Sequence, residues 1–165
     1  SGQWEFSPRS QATLTLNLGE SRYADGLESQ DVRRALVSLG LARQFETLPL
    51  YLEAGPVAGQ EEALESDSPL GRDLAGLRVT AQASLPARSA LVGSLGFLQS
   101  KYDGAFFGQD RTDKQISVQL AWVAPPWIPH WQFQPRLVYI DNGSTVNLFE
   151  YDRVEIGVYA TWGTE

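Results

Sequence analysis

The chain has no cysteine and only one histidine, His130, among its 165 residues. The absence of cysteine excludes disulfide bonds, thiolate metal ligands and a cysteine nucleophile, and one histidine cannot build a poly-histidine metal centre. The net charge is -7 and the isoelectric point is about 4.7, whereas domains that bind nucleic acid usually carry a basic face. We therefore expect no metal site, no cofactor and no nucleic-acid partner.

Lysine, methionine and long apolar runs are also scarce or missing. Two lysines, Lys101 and Lys114, stand against eleven arginines, and arginine suits bidentate or partly buried pairing better than lysine does. Methionine is absent, which predicts a processed or excised chain. No stretch approaches the roughly 18 consecutive apolar residues of a membrane-spanning helix. If this chain crosses a membrane, we expect it to do so with β-strands.

What the sequence does have is a period-two alternation of apolar and polar residues, which is typical of β-strands. One such run alternates Ile116, Val118, Leu120 and Trp122 with polar or small residues. The pattern predicts eight strands of about nine or more residues, the length needed to cross a bilayer at a tilt. Their bounds are about 10–18, 32–44, 47–55, 74–85, 89–98, 114–124, 130–140 and 148–162.

The connections between these strands alternate between long and short. The long ones carry most of the acidic residues and cover roughly 19–31, 56–73, 99–114 and 141–152. Long loops at one end and tight turns at the other are the plan of a bacterial outer-membrane barrel. We therefore predict an all-β, antiparallel, up-and-down transmembrane β-barrel as a single domain over residues 1–165. It has eight strands, or is the last eight strands of a larger barrel.

Alternation alone does not say which face points inward, because a soluble up-and-down barrel has the same pattern with its apolar set inside. The position of the tryptophans favours the membrane interpretation. All five fall toward the short-turn end, as expected for an aromatic girdle at one membrane interface: Trp4, Trp122, Trp127, Trp131 and Trp162. Candidates for a second girdle at the long-loop end are Tyr102, Phe107, Tyr139, Phe149 and Tyr151.

Charged residues in the polar set of the strands predict a network inside the lumen. They are Glu53, Arg78, Arg136, Arg153 and Glu155. Charges inside a narrow barrel must pair or form hydrogen bonds, because an unpaired buried charge costs several kcal/mol. A structural ion-pair plug is the favoured interpretation, and a selectivity constriction or substrate groove is the alternative. Eight strands leave an interior just filled by side chains, so a free pore is expected only in a larger barrel.

The long loops are strongly acidic, and the favoured interpretation is a solvated, repulsive rim that keeps the protein from aggregating. Two kinds of ligand are the alternatives. The acidic stretch 61–67 suggests calcium, although its spacing does not match a twelve-residue calcium loop. Lipid phosphates are the other candidate, and the basic residues placed to contact them are Arg22, Lys101, Arg111 and Lys114. Pro135 lies in the middle of a predicted strand and removes one ladder hydrogen bond, which predicts a bulge or break between the last two strands.

The end of the chain resembles the C-terminal signal by which bacterial outer-membrane proteins are recognised for assembly. The residues that carry the pattern are Glu155, Gly157, Ala160 and Trp162. Residues 163–165 follow the final aromatic, whereas in the usual signal the aromatic ends the chain. This resemblance implies the outer-membrane assembly machinery as a partner and outer-membrane lipid as the surroundings.

Residues 110–162 resemble the end of the barrel in surface lipoprotein assembly modifiers. The resemblance rests on four short motifs, at 110–113, 135–137, 141–147 and 151–154. Members of that family are outer-membrane proteins that help move lipoproteins to the cell surface. Their N-terminal tetratricopeptide region and larger barrel are not visible in this chain. The resemblance implies a location in the bacterial outer membrane and a surface lipoprotein as cargo.

Together these features predict a non-enzymatic component of the bacterial outer membrane. Its expected role is in the export or assembly of surface proteins or lipoproteins, or as a small porin-like channel. One alternative is a soluble β-barrel that binds a lipid-like ligand in an apolar interior. The other is an outer-membrane lipid-modifying enzyme, which needs a hydroxyl and a carboxylate beside His130. We expect this histidine in a turn, at the end opposite the outer rim.

Overall fold

The computed structural model describes residues 1–23, 30–65, 68–125, 127–128 and 130–163. They form one antiparallel sheet of nine strands, in which each strand pairs with its neighbours in sequence. A 3-10 turn, Asn147–Phe149, precedes the last strand. The strands are β1 (Gly2–Ser7), β2 (Ser10–Ser21), β3 (Val32–Gln44), β4 (Leu50–Ala63), β5 (Arg72–Leu85), β6 (Ser89–Phe106), β7 (Gln109–Val123), β8 (Trp131–Ser144) and β9 (Tyr151–Trp162).

The prediction of an all-β, antiparallel, up-and-down sheet is confirmed, but the number of strands is nine rather than eight. The additional strand is β1, which pairs with β2 and has a bulge between Glu5 and Ser7. Six residues are too few for alternation to stand out in the sequence. Within the described residues no ladder joins β1 to β9, so the sheet is open. In the described residues, no helix is long and apolar enough to span a bilayer.

The long loops are shorter than predicted because the strands continue into them. β6 extends to Phe106 and β7 begins at Gln109, so only Phe107 and Gly108 connect the two. Their φ angles are +54° and +77°, and positive φ at both central residues is the geometry of a tight hairpin turn that matches strand twist. The predicted loop at 99–114 is therefore a protruding hairpin, with a register shift between Lys101 and Ala105.

The register keeps most of the apolar residues of the strands on one face, here called the apolar face. One row crosses the sheet through Leu95, Val118, Tyr139 and Val154 on β6 to β9. These four side chains are 40–59% exposed, and the neighbouring Ile156 is 83% exposed. Most of the large hydrophobic side chains of this sheet therefore face outward, while a smaller set that includes Leu74, at 5% exposed, lies on the opposite face.

The opposite face, here called the polar face, is concave. Gln11 on β2 donates a hydrogen bond to the hydroxyl of Tyr51 on β4 at 3.2 Å, across the intervening β3. Gln115 on β7 likewise reaches the hydroxyl of Tyr151 on β9 at 3.2 Å. Side chains two strands apart meet in this way because the sheet curves toward the polar face.

The apolar face ends before the strands do. On β5 it extends over 75–85, and the next outward residue toward the long loops is Asp73. Asp73 pairs with Gln60 on one side and Lys101 on the other, so the row beyond the band is polar. Ten steps of about 3.4 Å give about 34 Å along the strand, or about 26 Å at a tilt of roughly 40°. That height matches the apolar band of a membrane barrel, about 25 Å tall.

The predicted break between the last two strands is wrong. The ladder between β8 and β9 is continuous from Trp131 and Trp162 at one end to Asn142 and Tyr151 at the other. On its other side, β8 pairs with β7 only as far as Arg136 and Ala121. Pro135 lies between that last pair and a backbone hydrogen bond from Ala124 to Phe133 at 2.9 Å, so the ladder with β7, and not the one with β9, is interrupted at this proline, which has no N–H to donate.

Candidate functional site

The largest charged group lies on the polar face at the long-loop end. We call it the end cluster, and its members are Arg34, Glu61, Arg72, Tyr102, Arg111 and Asp113. The register aligns the first four of them in one row across β3, β4, β5 and β6. The outward residues at this level are polar as well, so the end cluster lies beyond the apolar band.

Glu61 joins two arginines at the β3 side of the end cluster. This carboxylate is 5% exposed, forms an ion pair with Arg34, and accepts hydrogen bonds from Arg72 at 2.6 Å. Arg72 also donates to the hydroxyl of Tyr102 at 2.8 Å. Burial raises the pKa of Glu61, but hydrogen bonds and charge from the two arginines outweigh it and hold that pKa below its usual 4.5. Glu61 is therefore an ionised structural anchor and a poor general acid.

Arg111 is the most enclosed cation described in the chain, at 8% exposed. Its guanidinium carbon lies 3.4 Å from the ring centre of Phe149, 4.1 Å from that of Tyr102 and 4.9 Å from that of Phe106. Aromatic faces attract such a cation, and more strongly when it is desolvated. The three rings therefore bind the β6–β7 hairpin to the turn before β9.

The counter-charge of Arg111 is Asp113, two residues further along β7. Arg111 donates to it from Nε at 3.0 Å and from Nη2 at 2.5 Å, and the hydroxyl of Ser144 donates at 2.7 Å. Burial raises the pKa of Asp113, but these hydrogen bonds and the arginine charge outweigh burial and hold that pKa below its usual 3.8. Asp113 thus stays ionised and fixes the guanidinium between the rings.

The predicted lumen residues occur in two separate places instead of one network. On β4 and β5, Glu53 and Arg78 line the same small cavity of about 60 Å³. Glu53 accepts a hydrogen bond from Tyr51 at 2.8 Å, and no ion pair joins Glu53 to Arg78 in the described part of the chain. This pair is close to the middle of the sheet, below the end cluster.

The other three predicted lumen residues lie on β8 and β9. Arg153 and Glu155 form an ion pair at 2.9 Å, with side chains that are 54% and 45% exposed. The guanidinium of Arg136 lies 4.6 Å from the ring centre of Tyr159. Because β9 lies at an edge of the open sheet, these charges have solvent beside them and are less constrained than the end cluster.

Sequence reasoning missed the end cluster as a group and misplaced three aromatic residues. Tyr102 and Phe149, predicted for an outer girdle, lie on the polar face around Arg111. Tyr151 lies on the same face, where its hydroxyl accepts a hydrogen bond from Gln115, so that part of the prediction is wrong. One signal for the end cluster was available in the sequence. Residues an even number of positions apart on a strand share a face, so Arg72 lies on the same face of β5 as Arg78, which the sequence already assigns to the polar set.

The tryptophans gather at the short-turn end of the sheet. Trp122 and Trp127 make an edge contact with ring centres 5.5 Å apart, and Trp131 pairs with Trp162 in the β8–β9 register. Trp4 is opposite Ala12 on the apolar face. Four of the five are at least 40% exposed: Trp4, Trp127, Trp131 and Trp162. Their arrangement is a belt along this end of the apolar face.

The residues of the predicted assembly signal, Glu155, Gly157, Ala160 and Trp162, all lie on β9. This strand pairs with β8 along one edge, and its other edge pairs with no strand in the described part of the chain.

His130 is in the β7–β8 turn with φ +66°, and among the described residues no hydroxyl or carboxylate bonds to its ring. The calcium stretch is divided: Glu61 is held by arginines, and Asp67 is outside the described residues.

A polar cavity of about 230 Å³ opens beside the end cluster, lined by Arg72, Tyr102, Arg111, Asn142 and Tyr151 among others. These groups can hold a polar or anionic ligand by hydrogen bonds, but they present no activated nucleophile.

No family model, curated protein or solved structure matches this chain. The resemblance of residues 110–162 to lipoprotein assembly modifiers stays a prediction.

Proposed function

We propose that this chain forms the wall of a bacterial outer-membrane β-barrel and is a non-enzymatic component of surface-protein or lipoprotein assembly. The apolar face carries this proposal. Large hydrophobic side chains are exposed across it, including Leu16 at 60%, Leu77 at 51% and Ile156 at 83%. Monomeric soluble proteins rarely expose continuous apolar patches beyond a few hundred Å², whereas membrane barrels turn such a band toward lipid.

The alternatives fit these observations less well. A soluble barrel that binds lipid needs the Leu and Val face inside, where the present sheet has its ion pairs and tyrosines. A lipid-modifying enzyme needs an acid and a hydroxyl beside His130, which is exposed in a turn. A porin-like channel remains the second candidate, because the concave face is polar. The end cluster spans β3 to β7 on the polar face at the long-loop end. Its side chains would fill that end of the lumen, which favours a plugged lumen over an open one.

The strand directions support one way of closing the proposed barrel. β1 and β9 both run toward the short-turn end, so joining them gives a parallel pair. β2 and β9 run in opposite directions, and an antiparallel seam between them gives eight strands. Bacterial outer-membrane barrels have even numbers of antiparallel strands, and backbone groups within a bilayer must be paired. We propose the β2–β9 seam, with β1 leaving the edge of β2.

Spin labels test this closure directly, because the chain has no native cysteine. Leu16→Cys on β2 and Ile156→Cys on β9 place two labels on the apolar face. In the open sheet these strands are seven steps of about 4.8 Å apart, or about 34 Å, whereas a β2–β9 seam brings the labels within about 15–20 Å, allowing for label length. We expect the short distance in detergent, by pulsed electron resonance.

Leu16→Cys with Leu77→Cys is the matched control, since β2 and β5 keep their separation in either arrangement. A distance beyond about 30 Å for the first pair, with the control unchanged, contradicts the seam. Such a result points to closure through further strands.

Behaviour in detergent tests the membrane assignment itself. We expect the protein to refold in detergent micelles and to migrate differently on gels before and after boiling, as a closed barrel does. Circular dichroism should show β-structure in the unboiled sample. A stable monomer in plain buffer would contradict the proposal. Planar-bilayer currents then separate the candidates, because a plugged assembly component gives none and a porin-like channel gives steady conductance.

A further inference from the structure

The only two lysines of the chain are neighbours just beyond the apolar band. Lys101 on β6 pairs with Thr112 on β7, and Lys114 is two residues further along β7 on the same face. Diagonal neighbours of this kind are roughly 7–8 Å apart. Phe97 and Ile116, both 44% exposed, lie on the band side of them. The two ammonium groups are thus placed where a bilayer interface meets the apolar face.

Neither lysine forms an ion pair in the described part of the chain, and the nearest carboxylates on their face are Asp73, opposite Lys101, and Asp141, diagonal to Lys114. Asp73, opposite Lys101, accepts a hydrogen bond from Gln60 at 3.0 Å. The other basic candidates for lipid contact at this end are engaged. Arg22 bonds Glu20 at 2.6 Å, and Arg111 is enclosed on the polar face. Two free cations therefore face outward from a protein of net charge -7.

A shallow apolar furrow begins on β5, one strand away from Lys101. It occupies the outer surface of β2 to β5 and is lined in part by Leu16, Ala35, Val37 and Ala58. Small side chains here leave room for an acyl chain against the sheet. The furrow reaches Asp73, which is in register with Lys101. Cationic and apolar features thus occupy adjoining parts of one surface.

We infer that this surface binds a phosphorylated glycolipid of the outer leaflet, with phosphate at Lys101 and Lys114 and an acyl chain in the furrow. The inference rests on the proposed membrane location, in which the long-loop end faces outside. Lysine stems lie along apolar surface while their charged ends reach the interface, and each basic residue there strengthens binding to anionic lipid. A pair of cations suits a lipid that carries two phosphates.

The test compares Lys101→Gln/Lys114→Gln with wild type, both folded in neutral detergent, by native mass spectrometry with lipid A added. We expect about twenty-five-fold weaker binding of lipid A for the double variant, because each lysine contributes roughly a factor of five. Arg9→Gln/Arg88→Gln, which removes two charges at the short-turn end, should bind as wild type does. Removing the phosphates from lipid A should abolish the difference between variants.

Three outcomes overturn the inference. The first is equal affinity for lipid A in the lysine variant and wild type. The second is a loss of affinity in the Arg9 and Arg88 control as large as that in the lysine variant. The third is a wild-type affinity for phosphatidylglycerol equal to that for lipid A, which assigns the site to phosphate in general. Boiled and unboiled gel samples of each variant show whether the barrel has formed. A heat-modifiable lysine variant that binds lipid A normally defeats this inference alone, whereas a chain that never becomes heat-modifiable defeats the proposed function.

Discussion

Val118→Arg is expected to reduce the free energy of unfolding from lipid vesicles by about 2–4 kcal/mol, the cost of arginine on the lipid face near the bilayer midplane. Val118 is 43% exposed and lies between Leu95 and Tyr139 in the apolar band. A guanidinium there must leave water for hydrocarbon. Urea unfolding in vesicles, followed by tryptophan fluorescence, measures the change.

The adjacent residue supplies a matched control at the same depth. Gln119 pairs with Ser94 and Val138 on the polar face, so Gln119→Arg points toward the lumen. Substitutions there change lumen properties more than stability, and we expect a smaller loss than for Val118→Arg because polar groups of the concave face surround the added charge. The reverse order, with Gln119→Arg the more damaging, would mean that the apolar face is not the one in contact with lipid.

The strands could be predicted where they cross the apolar band and not beyond it. Within the band one face is apolar and the other polar, so Ile116, Val118 and Leu120 produce a clear period of two. Beyond the band both faces are polar, as with Lys101 and Tyr102 on β6. The hydrogen-bonded ladder continues there without any alternation in hydropathy, so the sequence predicts a loop where the structure has the β6–β7 hairpin.

The end cluster was hidden for a related reason. Its contacts depend on register between strands, which brings Glu61 between Arg34 and Arg72 although the three are far apart in sequence. The face taken by Tyr102 is likewise decided by a tertiary contact with Arg111. An aromatic near a strand end is compatible with either an outer girdle or a cation site, and composition alone does not distinguish them.

Arg111→Gln is expected to be the most destabilising substitution in the end cluster, at about 3–5 kcal/mol, because it leaves the buried Asp113 without its counter-charge. The side chains of this pair are 10% and 8% exposed. Arg9→Gln is the matched control, since Arg9 and Glu46 form an ion pair in turns at the short-turn end with side chains that are 52% and 59% exposed. Exposed pairs contribute about 0–1 kcal/mol, and urea unfolding of both variants in vesicles compares them.

The pH dependence of this loss shows whether the charge of Asp113 is responsible. The pKa of Asp113 lies below its usual 3.8 in the folded protein, so its pairing stabilises the fold above about pH 4 and is lost as the pH falls through the folded pKa. The difference between wild type and Arg111→Gln should be constant from about pH 6 to 8 and shrink below about pH 4. A difference that persists in acid would assign the effect to lost packing against the three rings, because cation–ring contacts do not require Asp113 to be ionised.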